Sequence, residues 1–246
     1  MKLIKFDGGR KFAKKILDKR TLFVYHFKKE HRSLLGKLVV QVKKLDIQVK
    51  ILKEARREFL STGFHNANMR KIAISSEVSL SNLYSYHASK DALFCAVVNN
   101  VKMELENLEN FFKNYRPKSL TFDSLEIEIE RAKSAAKYIH KNRIEIHLLF
   151  NKSNGTSLEN FTERLVSGYV INCKNLISFL LSNGIEISFV PTDFFFSNVA
   201  RLFIEAIKEA VRAKLSLKLI EKHAEELTKF NHFGFLGVSN YNNKDK

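Results

Sequence analysis

Tryptophan is absent from this 246-residue chain, and it holds only 2 prolines and 9 glycines. Both proline and glycine interrupt helices and mark turns, so their scarcity excludes a collagen-like chain and predicts a mostly helical one. Its two cysteines, Cys95 and Cys173, form no CxxC pair. Neither a disulfide framework nor a structural zinc site is therefore expected, and such sparing use fits a reducing cytoplasm. No apolar run approaches the ~18–20 residues of a membrane span. The basic start, Met1 to Asp7, lacks the ~7–15-residue apolar stretch of a secretory signal behind it. The expectation is a cytoplasmic chain with no membrane partner. GxSxG, Walker, HExxH and GxGxxG patterns are also missing. The expectation is a non-enzyme with no cofactor and no metal site.

The residues that are present make an ordinary globular composition, 45% apolar and 28% charged. The 42 Lys+Arg outnumber the 26 Asp+Glu, for a net charge of +16. That excess is not spread evenly. Residues 1–90 hold 21 basic and 7 acidic side chains, a net +14, and residues 91–246 hold 21 and 19, a net +2. A basic end on a near-neutral remainder suggests a polyanion partner, either nucleic acid or an acidic membrane surface.

Residues 1–45 are a basic lead segment without a clear period. From Asp46, a candidate N-cap, Ile47, Ile51, Ala55 and Phe59 recur at four-residue steps, a helix that closes at Gly63. Two short helices follow over 69–76 and 79–87. A longer one opens at Lys90-Asp91 with Leu93, Val97, Val101, Leu105, Leu108 and Phe112 on one face, and Pro117 stops it. Asp123 caps the next helix, which carries Leu125, Ile129, Ala132, Ala136 and Ile139. A short apolar helix spans 143–151, and Lys152 to Thr156 form a turn. Another helix bears Leu165, Tyr169, Cys173, Leu176 and Leu180 and ends at Gly184. After Pro191 come two last helices. One holds Val199, Leu202, Phe203, Ala206, Ala210 and Val211. The other holds Leu217, Ile220, Ala224 and Leu227 and runs into Phe230, Phe233 and Phe235. The one strand candidate, Ile185 to Val190, is short. The fold class is all-α.

The informative stretch is Gly63 to Leu93. Asn68 can cap a first short helix whose Ile72 and Ala73 face inward, and Ala73 is small enough for a second helix to cross closely. Ser76 to Ser79 form a tight turn plugged by Val78. Ser79 caps the second helix, and Leu83 packs back on Ile72. Such a pair is a helix-turn-helix, whose second helix lies in the major groove. The residues Phe59, Gly63, Ile72-Ala73, Val78-Ser79, Leu83-Tyr84-Ser85-Tyr86 and Ser89-Lys90-Asp91-Ala92-Leu93 stand in register with the DNA-binding domain of the TetR/AcrR family of bacterial repressors. The segment from Ile47 to Val97 resembles that domain, and the downstream similarity is one of helical layout.

The chain departs from the family pattern at three places. Glu77 stands where the turn usually has glycine, a cost of roughly 1–2 kcal/mol if the backbone there is left-handed. The recognition helix begins Ser79-Leu80-Ser81 rather than Ser-Lys-Gly, which removes a bidentate guanine contact. His87 replaces the aromatic that usually follows Tyr86.

The resemblance assigns Tyr84, Tyr86 and Lys90 to phosphate contacts. Leu80, Ser81, Asn82 and Ser85 fall on the outer face of the second helix. There Asn82 could pair with adenine and Leu80 could touch a thymine methyl. Asn68 and Arg70 begin the first helix and could meet the DNA backbone. A plain polar surface is the alternative for each of these, and a partly core position is the alternative for Tyr84.

In the second half, His147 lies in an apolar run and His140 lies two helical turns away, about 10 Å by rise, too far to share one metal. Tyr169 and Cys173 share a helix face. With His147 they are the candidate ligand-contacting residues, and core packing is the alternative reading. The 21 phenylalanines suit an apolar effector, but they also suffice to build a core.

The organisation expected is a basic extension (1–45), a helix-turn-helix domain (46–92), a helical ligand-binding and dimerisation domain (93–238) and a polar tail (239–246). As the resemblance implies, the function would be that of a homodimeric, ligand-responsive repressor on a near-palindromic operator. Its ligand would shift the helix from Lys90 onward and spread the two heads. The lead segment would be either a phosphate-tracking arm or an uninvolved extension. The competing function is a basic architectural or membrane-surface protein without base preference.

Overall fold

In the computed structural model, residues 32–114, 125–184, 187 and 189–239 are described, with the side chains of 32–40, 111–113 and 235–239 left aside. The lead segment up to residue 31, Pro117, Asp123, most of the polar tail, and the side chains of Phe112 and Phe235 lie outside the described residues. So do Ile185, Glu186 and Ser188 of the strand candidate, and its remaining residues carry no strand.

The described chain is helical throughout. Its helices are α1 (Arg32–Asn66), α2 (Met69–Ser75), α3 (Leu80–Tyr86), α4 (Lys90–Asn114), α5 (Leu125–Lys141), α6 (Arg143–Asn151), α7 (Phe161–Ser182), α8 (Asp193–Arg212) and α9 (Leu217–Ser239). The chain divides between Ile51 and Leu52, inside α1. The packing described below belongs to the unit from Leu52 onward.

Asp46 is not a helix start. α1 continues N-terminally through it to Arg32, because the intervening residues contain no proline and their single glycine, Gly36, does not interrupt the helix. Gly63 does end the regular helix, as expected: its φ of 75° and ψ of 173° belong to a region that only glycine occupies without strain. Of the expected stripe, Ala55 and Phe59 are fully buried.

α4 packs on α6 and α7, α7 and α6 on α8, and α5 on α9. Leu93 and Val101 of the expected α4 face are buried, together with Phe94 and Val98. Small residues allow close approach elsewhere. Ala136 of α5, Ala210 of α8 and Ile220 of α9 share one buried cluster with Leu215 and Ala224 against it. Val166 of α7 and Ala200 and Ile204 of α8 form another. On the side of α7 that meets α4, the Glu109 carboxylate lies over Gly168, in the place a Cβ would take. By length and mean hydropathy (1.3) α7 could also cross a membrane. Its charged residues are instead tied to neighbouring helices: Glu163 to Arg201, Arg164 to Glu106 at 3.0 Å and Lys174 to Asp193 at 3.0 Å.

α2 and α8 end alike. The Val78 N–H donates to the Ala73 carbonyl and the Glu77 N–H to the Ile74 carbonyl, both at 3.0 Å. After α8, Leu215 and Lys214 donate to Ala210 and Val211 at 3.1 and 3.2 Å. Both are Schellman caps, which place one residue in the left-handed region and satisfy the last carbonyls. Here that residue is Glu77 (φ 57°) and Lys214 (φ 53°), not glycine.

Replacing Gly63 by alanine forces a Cβ into that glycine-only backbone region and should cost about 1–3 kcal/mol. Urea unfolding of Gly63→Ala reads this directly. An unchanged midpoint would mean that the turn relaxes without strain.

Candidate nucleic-acid interface

The helix-turn-helix assembles from its caps. The Asn68 side-chain oxygen accepts from the N–H groups of Arg70 (2.9 Å) and Lys71 (3.3 Å) and so starts α2. Ser79 Oγ accepts from the Asn82 N–H at 3.1 Å and starts α3. Each cap satisfies orphan donors of a first helical turn. Ile72, Ala73 and Leu83 are almost fully buried between the two helices, where Ala73 leaves room for the crossing. Glu77 has the left-handed backbone that a glutamate in place of the usual glycine made a concern.

Two attachments hold this pair to its neighbours. Glu58 of α1 is only 6% exposed. One carboxylate oxygen lies 2.6 Å from Lys71 Nζ, and the other accepts from the Asn68 N–H at 3.3 Å. Behind it Phe59, Phe64 and Phe94 form an aromatic cluster. Phe94 meets both other rings edge-on, with centroids 5.1 and 5.7 Å away. Lys90 closes the cluster: its ammonium stands 4.8 Å above the Phe64 ring and donates to the carbonyls of His65 (2.9 Å) and Ala67 (3.3 Å). The sequence reading missed Glu58, Phe64 and Phe94. Glu58 carries no local signal, since its partners lie 10 and 13 positions away. Phe94 adjoins the expected stripe residue Leu93, so a wider helical face would have included it.

The other predicted contact residues share one region. Ser79, Ser81 and Ser85 are exposed, Leu80, Asn82 and Tyr86 are half-buried, and Tyr84 is 43% exposed. Arg70 is exposed at the start of α2. Within α3, Ser85 Oγ lies 2.7 Å from the Asn82 carbonyl and 3.2 Å from its side-chain oxygen. Lys90 differs from the rest, because its ammonium points inward to carbonyl groups.

The loop between α6 and α7 abuts this region. The Ser157 N–H donates to Asp91 Oδ1 at 2.9 Å, and Ser157 Oγ lies 3.4 Å from Cys95 Sγ. Gly155, at φ 80°, approaches the His65 ring so closely that any Cβ would collide with it. The loop is braced by Thr156 Oγ1, which donates to the Ser153 carbonyl at 2.6 Å and accepts from the Leu158 N–H at 3.0 Å.

Of the candidate ligand residues, Tyr169 and Cys173 lie one helical turn apart on α7, and Tyr169 packs on the cluster of Val166, Ala200 and Ile204. Burial raises both pKa values. The thiol is pushed up to about 11. His147 pairs instead with Asn151, whose Nδ2 lies 3.3 Å from its Nδ1. A surface depression of about 490 Å³ on α5, lined by Glu126, Ile127, Glu130, Arg131 and Ser134, involves none of the three.

His87 is the C-cap of α3 and is buried, and its Nε2 has no hydrogen-bond partner among the described residues. Desolvation lowers its pKa below the usual 6.5. Desolvation also lowers that of His147, aided by Lys152 and Arg212.

Residues 51–97 match the family described as bacterial regulatory proteins, tetR family. No curated protein sequence is significantly similar to the chain. The fold is similar to that of solved regulators. A TetR-like transcriptional regulator from Rhodococcus sp. RHA1 is 17% identical at a TM-score of 0.52, with 76% of this chain and 96% of the other covered. NalD of Pseudomonas aeruginosa, the secondary repressor of the MexAB-OprM multidrug efflux pump, is 19% identical at 0.52, with 76% and 95% covered. PfmR, a TetR family transcriptional regulator of Thermus thermophilus, is 16% identical at 0.50, with 73% and 95% covered. The chain therefore has the fold of TetR-family transcriptional regulators.

The site yields two stability predictions. Glu77→Gly removes the left-handed penalty of a Cβ and should stabilise the protein by about 1 kcal/mol in chemical denaturation. No gain would mean that Glu77 contacts offset the strain. For His87, the folded pKa lies below the unfolded one, so the unfolded chain binds more protons as pH falls through 6.5. Stability is then full above that pH and declines below it. Tm measured from about pH 7.5 to 5.5 should fall less steeply in His87→Phe than in the parent. Parallel slopes would remove His87 as a cause.

Proposed function

We propose that this chain, whose residues 51–97 form a tetR-family DNA-binding domain, is a ligand-responsive repressor that binds a near-palindromic operator as a homodimer. The observation that carries the proposal is the presentation of α3. Leu83 anchors the helix, while Ser81, Tyr84 and Ser85 remain open to solvent beside the exposed Arg70. That is the arrangement in which a second helix enters the major groove and the first crosses the phosphates.

Dimerisation is supported by an apolar surface left open on the last two helices. Phe194 (77% exposed), Phe195 and Leu202 of α8, and Leu219, Phe230 (70%) and Phe233 of α9, lack cover. Pairing of these helices with their counterparts would remove the apolar surface from water. Two recognition helices would then sit about 34–36 Å apart, one turn of DNA.

For response, a small apolar effector would enter the helical half near Tyr169, Cys173 and His147. α4 is the element that would carry the signal. Its first turn holds the aromatic cluster through Lys90, and its later turns meet α7 through Glu106 and Glu109. A shift of α4 would spread the heads and weaken DNA by the usual coupling of about 1–3 kcal/mol. Operator would weaken effector equally. The protein is non-enzymatic and acts in the cytoplasm, where its DNA is.

Footprinting of the purified protein on the DNA upstream of its own gene, across a salt series, tests the reading. Protection of a two-fold symmetric site is expected. Uniform, salt-labile coating of any DNA would favour the basic architectural or membrane-surface alternative. The dimer has its own test: Phe194→Glu with Phe230→Glu should move sedimentation from two copies toward one, and a parent that sediments as a single copy would refute it.

A further inference from the structure

The recognition helix carries no charge. Its seven residues are Leu80, Ser81, Asn82, Leu83, Tyr84, Ser85 and Tyr86. Guanine is read in the major groove mainly by the paired donors of arginine or lysine on O6 and N7, and the cytosine amino group is read by a carboxylate. α3 has neither. Nearby cations have partners within the protein: Lys71 with Glu58 at 2.6 Å, Lys90 with two backbone carbonyls, Arg57 with Glu54 at 3.0 Å and Arg56 with Glu145 at 3.1 Å. Arg70 is exposed at the start of α2, the helix that crosses the backbone, and suits a phosphate rather than a base.

The readers α3 does offer fit adenine and thymine. An asparagine amide spans N6 and N7 of adenine, donating to N7 and accepting from N6. A leucine side chain packs on the thymine methyl. Asn82 is also pre-positioned. Ser85, one turn on, shares its single hydroxyl proton between the Asn82 carbonyl at 2.7 Å and, more weakly, the Asn82 side-chain oxygen at 3.2 Å. The Ser79 cap holds the Asn82 backbone at 3.1 Å. A side-chain oxygen has two lone pairs, so contact with Ser85 leaves one for the adenine N6 amino group.

From this composition and geometry we infer that the operator half-site is read through A·T pairs, with Asn82 on adenine, Leu80 on a thymine methyl and Ser85 as the residue that positions Asn82. The inference rests on the DNA-binding reading above and deepens it. Affinity would come from phosphate contacts outside α3, and base preference from three uncharged side chains. Discrimination at the pair read by Asn82 should therefore persist at salt concentrations that weaken overall binding, because a neutral contact releases no counterion.

The test is selection of the full-length protein on a randomised double-stranded DNA library at fixed salt. The parent is run alongside Asn82→Ala, Leu80→Ala, Ser85→Ala and Arg70→Ala. The parent should enrich a symmetric motif. Asn82→Ala should flatten the preference at one A·T pair per half-site by about 5- to 150-fold, the equivalent of a bidentate contact. Ser85→Ala should loosen the same pair by a smaller factor, and Leu80→Ala a different A·T pair. Arg70→Ala should weaken all sequences alike. A symmetric motif with G·C at the pairs that respond to Asn82 or Leu80 would overturn the inference and leave the regulator reading intact. A motif in which Asn82→Ala and Leu80→Ala change no position would do the same. If the parent enriches no motif at all, the DNA-regulator reading fails, and this inference fails with it.

Discussion

The structure depends on how the first turn of α4 is fastened to the end of α1. Phe94 meets Phe59 and Phe64 edge to face, and Lys90 sits over the Phe64 ring with its ammonium on two carbonyls. Edge-to-face packing is directional, and a lysine shared between a ring and two carbonyl oxygens admits few arrangements. The geometry of this joint sets where α2 and α3 lie relative to the rest of the unit. Without it the two seven-residue helices would have little to hold them, because helices that short are not stable alone.

The same joint borders the α6–α7 loop. Asp91, next to Lys90, accepts from Ser157, and Gly155 lies against His65 on the far side. The loop is internally braced by Thr156. α4 is thus held near its start by the loop and further along by α7, through Arg164 on Glu106, Asn172 on the Glu109 carbonyl and the close approach at Gly168. Contacts of α4 thus connect α7 with the aromatic joint at the end of α1.

Electrostatics are divided between elements. The basic excess lies in the first 90 residues, yet α3 is neutral and several nearby cations are used internally. Glu58 shows why. A buried carboxylate must be paired, and it draws Lys71 and the Asn68 N–H to itself. Cations used in this way build the platform, while Arg70 at the start of α2 stays exposed.

Local chemistry made much of this legible before any coordinates. Asn68 and Ser79 are caps because short polar side chains satisfy nearby N–H groups. Gly63 is a helix end because only glycine tolerates its backbone without strain. Those features depend on residues a few positions apart, so the amino-acid order alone determines them, as it does the all-helical class of the described chain. Tertiary structure decided the rest. Whether α1 stopped at Asp46 or ran on to Arg32 was not written in a cap. The inward turn of Lys90, the Glu58 pairing, the Ile72–Leu83 contact, the Gly155–His65 approach and the exposed apolar side chains of α8 and α9 join residues ten or more positions apart or depend on what fails to cover them. Sequence periodicity names the apolar side chains of a helix, but which of them find a partner is a property of the packed molecule.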